Sequence, residues 1–211
     1  NFDIYDYTYD DLQLNYFNAA TFAYRTLNAE ESESRGLELQ VAYLPPLIDG
    51  LRLTAAYGYN DSNYVKFVGP CAGGQKPSDG CNVPDGGLTL QNLNGSKKAL
   101  APENRFNLGI NYNSILRSGL ELGFNMNVKA SDDYRLSDTI PDIKQPRYNT
   151  VDAGISLSSP TAGWKLALIG RNLGDEYIQT SGSDAPSTGG GAGTEAGFAG
   201  DRYAYIKPGR T

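Results

Sequence analysis

Between Phe106 and Asn113, in "APENRFNLGINYN" (101–113), apolar and polar residues alternate without a break. Phe106, Leu108, Ile110 and Tyr112 take one side; Asn107, Gly109, Asn111 and Asn113 take the other. Successive side chains of a strand point to opposite faces, so this period predicts a β-strand with one apolar face. The pattern recurs along the chain. "SRGLELQVAY" sets Leu37, Leu39, Val41 and Tyr43 against Gly36, Glu38, Gln40 and Ala42. "GLRLTAAYGY" sets Leu51, Leu53, Ala55, Tyr57 and Tyr59 against Arg52, Thr54, Ala56 and Gly58. "GLELGFNMNVK" sets Leu120, Leu122, Phe124, Met126 and Val128 against Glu121, Gly123, Asn125, Asn127 and Lys129. "NTVDAGISLS" and "GWKLALIGRNL" follow suit, apart from Ile169 on the polar side of the latter. In the opening "NFDIYDYTYDDLQLNYF", Phe2 and Ile4 conflict in parity with Tyr5, Tyr7 and Tyr9, so a bulge is predicted there. Helical periodicity is nearly absent, and the predicted fold is all-β.

The connections sort by length. Short ones are 45–50, 114–119 and 159–163; long ones are roughly 65–98, 136–146 and 179–201. They alternate, so an antiparallel meander gathers every short turn at one end of the sheet and every long loop at the other. A soluble sandwich has no reason to segregate them, whereas transmembrane barrels do. The strands reach about 9–12 residues, enough to cross a bilayer with tilt, where soluble strands average about 5–6. Asn, Gly, Ser and Gln dominate the polar side and charges are few, which suits a crowded watery lumen. Tyr43, Tyr57, Tyr59, Tyr112 and Trp164 lie near segment ends on the apolar side, as an interfacial girdle requires. On this reading Phe106, Leu108, Ile110 and Tyr112 meet lipid. Glu38, Arg105, Asn107, Asn111, Glu121 and Lys129 face the lumen.

Composition narrows the chemistry. The chain has 211 residues, 39% of them hydrophobic, with 15 Tyr and 25 Gly. Mean hydropathy is −0.45, and no run approaches the roughly 18 apolar residues of a membrane helix. That scale is blind to strands that show lipid only half their residues. A net charge of −6 argues against nucleic acid as a partner. The absence of His removes the commonest general base and transition-metal ligand, and neither a catalytic residue, a metal site nor a cofactor is expected. Cys71 and Cys81 are too few for a zinc site, so a disulfide in an oxidising compartment is the simpler reading. Their surroundings, "GPCAGGQKPSDGCNVPDGG", are expected to bury little of themselves. Adjacent carboxylates (Glu30 and Glu31, Asp10 and Asp11, Asp132 and Asp133) diverge on a strand, which disfavours paired acid–base chemistry and leaves loop Ca²⁺ as a minor option. The Gly-rich stretch 182–200 lacks the lysine and helix of a phosphate cradle and reads as a loop whose only bulky residue is Phe198.

Two stretches carry a family likeness. "NAEESESRGLELQVAYLPPLIDGLRLTAAYGYNDSNY" (28–64) resembles the Asn-Ala, Arg-Gly-x-Glu, Pro-turn and returning strand of TonB-dependent outer-membrane receptors. "GRNLGDEYIQTSG" (170–182) with "PGRT" (208–211) resembles that family's C-terminal signature and the opening of its last strand. "YDYTYDDLQL" (5–14) and "APENRFNLGINY" (101–112) stand in the expected order. The resemblance implies that residues 1–211 supply about the last eight strands of a roughly 22-stranded barrel. Strands are then expected at about 2–16, 25–44, 51–66, 100–113, 119–135, 147–158 and 164–178, with a final one from near 203. The chain is expected to be part of a longer exported protein, with the plug, the earlier strands and the end of the last strand elsewhere. The implied role is energy-coupled uptake of a scarce nutrient of siderophore, cobalamin or oligosaccharide type at a Gram-negative outer membrane. The implied partners are lipid, lipopolysaccharide, the rest of the barrel, the plug, and, through the plug, an inner-membrane energy-coupling protein. Loops 65–98 and 179–201 are expected outside the cell, with Tyr64, Lys66, Phe67, Tyr134, Arg135 and Tyr177 as candidate ligand contacts at their bases. The alternative for the three tyrosines is a plain outer girdle; Arg171, Asn172 and Asp175 are read as structural. A stand-alone small outer-membrane barrel and a secreted glycan-binding β-sandwich are the competing architectures.

Overall fold

The computed structural model describes residues 1–18, 23–85, 88–185 and 201–211. Its strands, in order, are β1 (Phe2–Asn18), β2 (Ala23–Tyr43), β3 (Leu51–Lys66), β4 (Val68–Pro70), β5 (Val83–Asp85), β6 (Leu88–Asn92) and β7 (Asn104–Ile115). There follow β8 (Glu121–Ser131), β9 (Tyr134–Arg135), β10 (Lys144–Gln145), β11 (Tyr148–Ser159), β12 (Trp164–Gly170), β13 (Gln179–Asp184) and β14 (Arg202–Ile206). Seven of them make one antiparallel meander, β1-β2-β3-β7-β8-β11-β12, in which each long strand pairs with the next. The turns β2–β3, β7–β8 and β11–β12 are short and share one end. The long connections holding β4–β6, β9–β10 and β13–β14 share the other. The segregation expected from the sequence is therefore present.

Register aligns the apolar residues into rows across the sheet. Phe2, Leu39, Tyr57, Phe106 and Ala130 are successive partners, as are Val41, Ala55, Leu108, Val128 and Val151. Leu51, Tyr112, Phe124, Ile155 and Leu168 form a row nearer the short turns. Because the side-chain period is two, a one-residue slip at any pair would break every row. Above the row Ile4, Leu37 and Tyr59 the same face turns ionic. Asp6 pairs with Arg35 at 3.1 Å, Glu33 with Arg35 at 3.0 Å, and Glu31 with Lys66 at 3.2 Å.

The apolar face has no protein cover. Leu108 is 42% exposed, Val41 49%, Ile155 50% and Leu168 74%. Buried apolar residues lie instead among the loops and upper strand ends. Ala29, Tyr64, Phe67 and Leu93 form one cluster, backed by Leu12, Leu14 and Leu27. Ala72, Leu136, Ile140 and Ile143 form another, with Tyr134 against it. The segment around Cys71 and Cys81, expected to bury little, thus contributes to a small core; Cys81 is fully enclosed. The reason is cooperation between loops that are far apart in sequence.

The edges of the sheet also differ from expectation. β1 keeps one register with β2 from Phe2–Leu39 to Asn18–Ala23; the pairing lapses at Asp11, whose backbone is left-handed (φ 54°), but without a register shift. Its two parities are both used: Phe2 and Ile4 lie in the apolar rows, while Tyr5, Tyr7 and Tyr9 sit opposite Gly36, Ser34 and Ser32 on the polar face. Gly36 is required there, because a Cβ would collide with the Tyr5 ring and the Tyr59 carbonyl. Register shifts fall instead in β2–β3, at Glu31 and Ser32, and in β13–β14, at Gln179 and Ser181. β12 ends at Gly170, short of 178, because Asn172 and Asp175 take left-handed backbone (φ 48° and 56°) and turn the chain over. The segment near 203 pairs with β13 in a separate hairpin rather than extending the main sheet. Thr211 is where a further position opens beside β12, exchanging backbone hydrogen bonds with Arg171 at 2.7 and 3.1 Å.

Candidate functional site

The polar face of the sheet, roofed at one end by the long loops, holds the residues that can meet a solute. Glu38, Arg105, Asn107, Asn111, Glu121 and Lys129 all lie on this face, as their register with Gly58, Ala56, Arg52 and Ser158 requires. The Asn107 Oδ1 accepts from Asn127 Nδ2 at 2.7 Å, and Ser34 and Ser62 hydroxyls meet at 2.6 Å. Small amides and hydroxyls thus satisfy one another across strands without fixed charge. A row of tyrosines runs up β1, Tyr5 and Tyr7 stacked with ring centroids 5.6 Å apart and Tyr7 and Tyr9 tilted, 6.1 Å apart. Lys98 tops this row, its ammonium 4.9 Å from the Tyr9 ring centre and 3.2 Å from Ser34 Oγ. Burial lowers the Lys98 pKa, with the Asp138 carboxylate opposing the shift.

Under the loops, between the polar face, Thr180 of β13 and Lys207, lies an open hollow of about 520 Å³. Glu38, Arg105, Asn107 and Lys129 line its sheet side, with Leu100, Tyr134, Tyr148, Thr180 and Lys207 above them. Arg105 Nη2 donates to the Leu100 carbonyl at 3.0 Å. Cations outnumber carboxylates on this lining, so it suits an anionic or strongly hydrogen-bonding solute.

The loops form one connected roof. Gly73 N–H donates to Asp184 Oδ2 at 2.7 Å, and Asp184 also faces Arg202. Buried Gln91 donates to the Pro70 and Thr139 carbonyls, each at 2.6 Å. Buried Gln145 accepts from Gln179 N–H at 2.6 Å and donates to the Tyr177 carbonyl. These two glutamines carry no motif in the sequence; only the folded loops reveal them. Cys71 and Cys81 are joined by a disulfide, ten residues apart in sequence.

The loop-base candidates separate. Tyr64 and Phe67 are buried, with rings 4.7 Å apart, and have no surface to offer a ligand. The contact role expected of them gives way to packing, because aromatic residues at a strand end look alike in sequence whether they face solvent or a loop. Arg135 is buried too, donating to the Lys97 and Asp138 carbonyls, and burial lowers its pKa. Lys66 is engaged by Glu31. Tyr134 borders the hollow and donates to the Gln179 carbonyl at 3.3 Å, and Tyr177 is 62% exposed. Asn172 bridges its own turn to Glu176, and Asp175 accepts from Arg210 N–H, so these two shape the turn after β12. Among the described residues no group of three or more His, Cys, Asp or Glu is placed to hold a metal ion. Most of the loop expected at 179–201, with Phe198, lies outside the described residues.

Comparison with known proteins decides what this sheet is. The family described as TonB dependent receptor-like, beta-barrel, matches residues 1–173. The chain belongs to that family. Three solved receptors share its fold. The ferric yersiniabactin uptake receptor FyuA of Yersinia pestis superposes with a TM-score of 0.65 at 15% identity, over 98% of this chain and 25% of its own. The siderophore receptor PiuA of Acinetobacter baumannii gives 0.63 at 20%, over 98% and 24%. BauA, the ferric preacinetobactin receptor of the same organism, gives 0.58 at 14%, over 99% and 25%. No curated protein matches the chain. The chain spans about a quarter of the length of the receptors it superposes on.

Membership explains the inverted burial. In a TonB-dependent receptor-like barrel the strands cross the membrane, so the apolar rows meet hydrocarbon and every backbone group is bonded between strands. The described chain is an open section of such a barrel, with β1 and β12 as its edges.

Proposed function

We propose that this chain is the C-terminal section of the barrel of an outer-membrane receptor that takes up a scarce nutrient by energy coupling in a Gram-negative bacterium. The polar face lines a plugged lumen, and the joined loops form part of the outer binding surface. The carrying observation is the uncovered apolar belt. Its six rows, from Ile4–Leu37–Tyr59 to Leu122–Leu157–Leu166, run about 33 Å along the strands. Tilted by about 40°, that gives about 25 Å of height, the thickness of an outer-membrane apolar band. The ionic pairs above Ile4 and Leu37 mark where hydrocarbon would give way to headgroups. The length of the loops beyond them favours an extracellular position, because outer-membrane barrels keep their long loops outside. Siderophore-type cargo is favoured over cobalamin or oligosaccharide by the neighbours' descriptions and by the cationic lining of the hollow. Lipid and lipopolysaccharide would contact the outer face. A plug and an inner-membrane energy-coupling protein would complete the machine, without catalysis by this section.

The test uses the full-length protein in detergent and in cells. Heat-modifiable gel migration and uptake of a ferric siderophore that stops when the inner-membrane coupling protein is removed are expected. A full-length protein that is soluble without detergent would end this reading.

A further inference from the structure

The apolar face, opposite the lumen, carries a groove of about 280 Å³ at the upper edge of its belt. Arg105, Ser131 and Tyr148 are partners across β7, β8 and β11, and by the alternation of each strand their side chains point to the lumen. The groove runs over their backbone on the other side of the sheet. Phe106, Ala130 and Asn149 border it below, and Asn104, Asp132 and Arg147 above. Two hydrogen bonds confirm the face: Tyr57, which stands in an apolar row with Phe106, donates its hydroxyl to Asn104 Oδ1 at 2.7 Å, and Asn104 Nδ2 donates to Asp132 Oδ2 at 2.6 Å. Leu108, Val128 and Val151 continue the same face downward. The wall therefore passes from apolar to polar within one step along each strand, as the boundary between acyl chains and headgroups requires. Elsewhere at this boundary the cations are taken: Arg35 by Asp6 and Glu33, and Lys66 by Glu31. Arg147 is exposed and forms no ion pair among the described residues.

We propose that this groove seats the headgroup of one lipopolysaccharide molecule, whose acyl chains run down the wall over Phe106, Ala130 and the row Leu108–Val128–Val151. A phosphate on the lipid's glucosamine backbone meets Arg147, whose planar guanidinium matches two phosphate oxygens. Hydroxyls of the sugar donate to Asp132 and to Glu176, which also borders the groove, and Asn149 offers its amide to the same sugar. Two carboxylates beside one arginine weigh against a headgroup that is phosphate alone and favour one that pairs phosphate with hydroxyl donors. Ala130 leaves the space between Phe106 and Asn149 for the sugar to enter. The inference rests on the receptor reading, which places this end of the sheet in the outer leaflet, and goes beyond it by giving one lipid a fixed seat.

The experiment adds lipids singly to the full-length receptor, stripped of lipid in detergent, and follows binding by native mass spectrometry. The probes are bisphosphorylated lipid A, the same lipid without its phosphates, phosphatidylglycerol and phosphatidylethanolamine, with inorganic phosphate as a competitor. Wild type is expected to hold one lipid A more tightly than either phospholipid, and to keep it against inorganic phosphate. R147Q removes the cation, and A130W fills the groove without changing its charge. Both are expected to keep the wild-type melting temperature and to bind lipid A roughly tenfold more weakly. The loss in R147Q is expected to vanish for the lipid without phosphates, and R117Q, in the short turn between β7 and β8, is expected to behave as wild type. Unchanged lipid A binding in R147Q or in A130W would overturn the proposal. So would a lowered melting temperature in R147Q, which would make Arg147 a structural residue. A phospholipid bound as tightly as lipid A overturns the sugar headgroup, and displacement by inorganic phosphate makes the ligand a free anion rather than a lipid. The receptor reading is judged separately, by the dependence of uptake on the coupling protein.

Discussion

Leu108 and Asn107 are adjacent, and replacing each with arginine tests which face meets lipid. Leu108 lies in the third of six apolar rows, between Ala55 and Val128 on the flanking strands, and is 42% exposed. Arginine there would sit near mid-membrane, where a charge on the lipid face costs about 2–4 kcal/mol. Asn107 is paired with Ala56 and Lys129 on the polar face. Its replacement loses the 2.7 Å hydrogen bond from Asn127, worth about 1 kcal/mol, and sets a cation beside Lys129 in a wet lumen. L108R is therefore expected to cost more than N107R by about 1–3 kcal/mol. The assay is guanidinium unfolding of the full-length receptor refolded into vesicles, read by heat-modifiable migration and tryptophan emission. Equal costs, or a larger cost at Asn107, would refute the assignment of faces.

G36A is expected to destabilise by about 1–3 kcal/mol, because a Cβ would collide with Tyr5 and the Tyr59 carbonyl; G36A combined with Y5A should recover part of the loss in the same assay. F67A is expected to remove about 3–5 kcal/mol from the packing of Tyr64, Leu93 and Ala29, appearing as faster hydrogen exchange in the long loops and the upper ends of β1–β3, with β8, β11 and β12 unaffected. Reduction of Cys71–Cys81 is expected to loosen the same loop by about 2–3 kcal/mol on the chain-entropy account, read as increased protease cleavage between residues 71 and 81. Lys98 has a folded pKa below its unfolded value, so its charged form is penalised in the fold at neutral pH. That penalty is relieved as pH rises from the depressed value toward the ordinary lysine range near 10.4, so loop stability should gain from Lys98 over that interval. K98Q should remove this gain, measured as the difference between the variant's and wild type's pH profiles of loop hydrogen exchange.

The wall was legible in the sequence because a membrane strand writes its two solvents into a period of two. Leu37–Tyr43, Leu51–Tyr59 and Phe106–Tyr112 each showed a strand and its two faces by alternation, while the register between them came only with the structure. Loop length told the two ends of the sheet apart, and Cys71 with Cys81 supplied the staple. β13 was not legible. "QTSGSD" has no apolar alternation, and it pairs with β14 because Gly182 lets the hairpin lie against Ile143. The end of β12 was missed because "RNLGDEYIQ" keeps strand-like residues while Asn172 and Asp175 supply left-handed backbone. Burial of Tyr64 and Phe67 was missed for a different reason. Leu93 closes over them from 26 residues beyond Phe67, and local patterning carries no information about such a contact.

The two halves of the structure are stabilised by different solvents, and this shapes how it would fail. Between Leu51 and Tyr59 the sheet has no fully buried residue, and the apolar rows gain further stability when hydrocarbon covers them. The loops draw theirs from two small cores, two buried glutamines and a disulfide, all of which work in water. Leu100 stands at the junction, tied through Arg135 to the loops and through Arg105 to the sheet. A perturbation of lipid should therefore loosen the apolar rows of the wall before the core around Ala72, Leu136, Ile140 and Ile143, and a reductant should loosen the loop around Cys71 and Cys81 first. The hydrogen bonds at Leu100 are where each half would report the loss of the other.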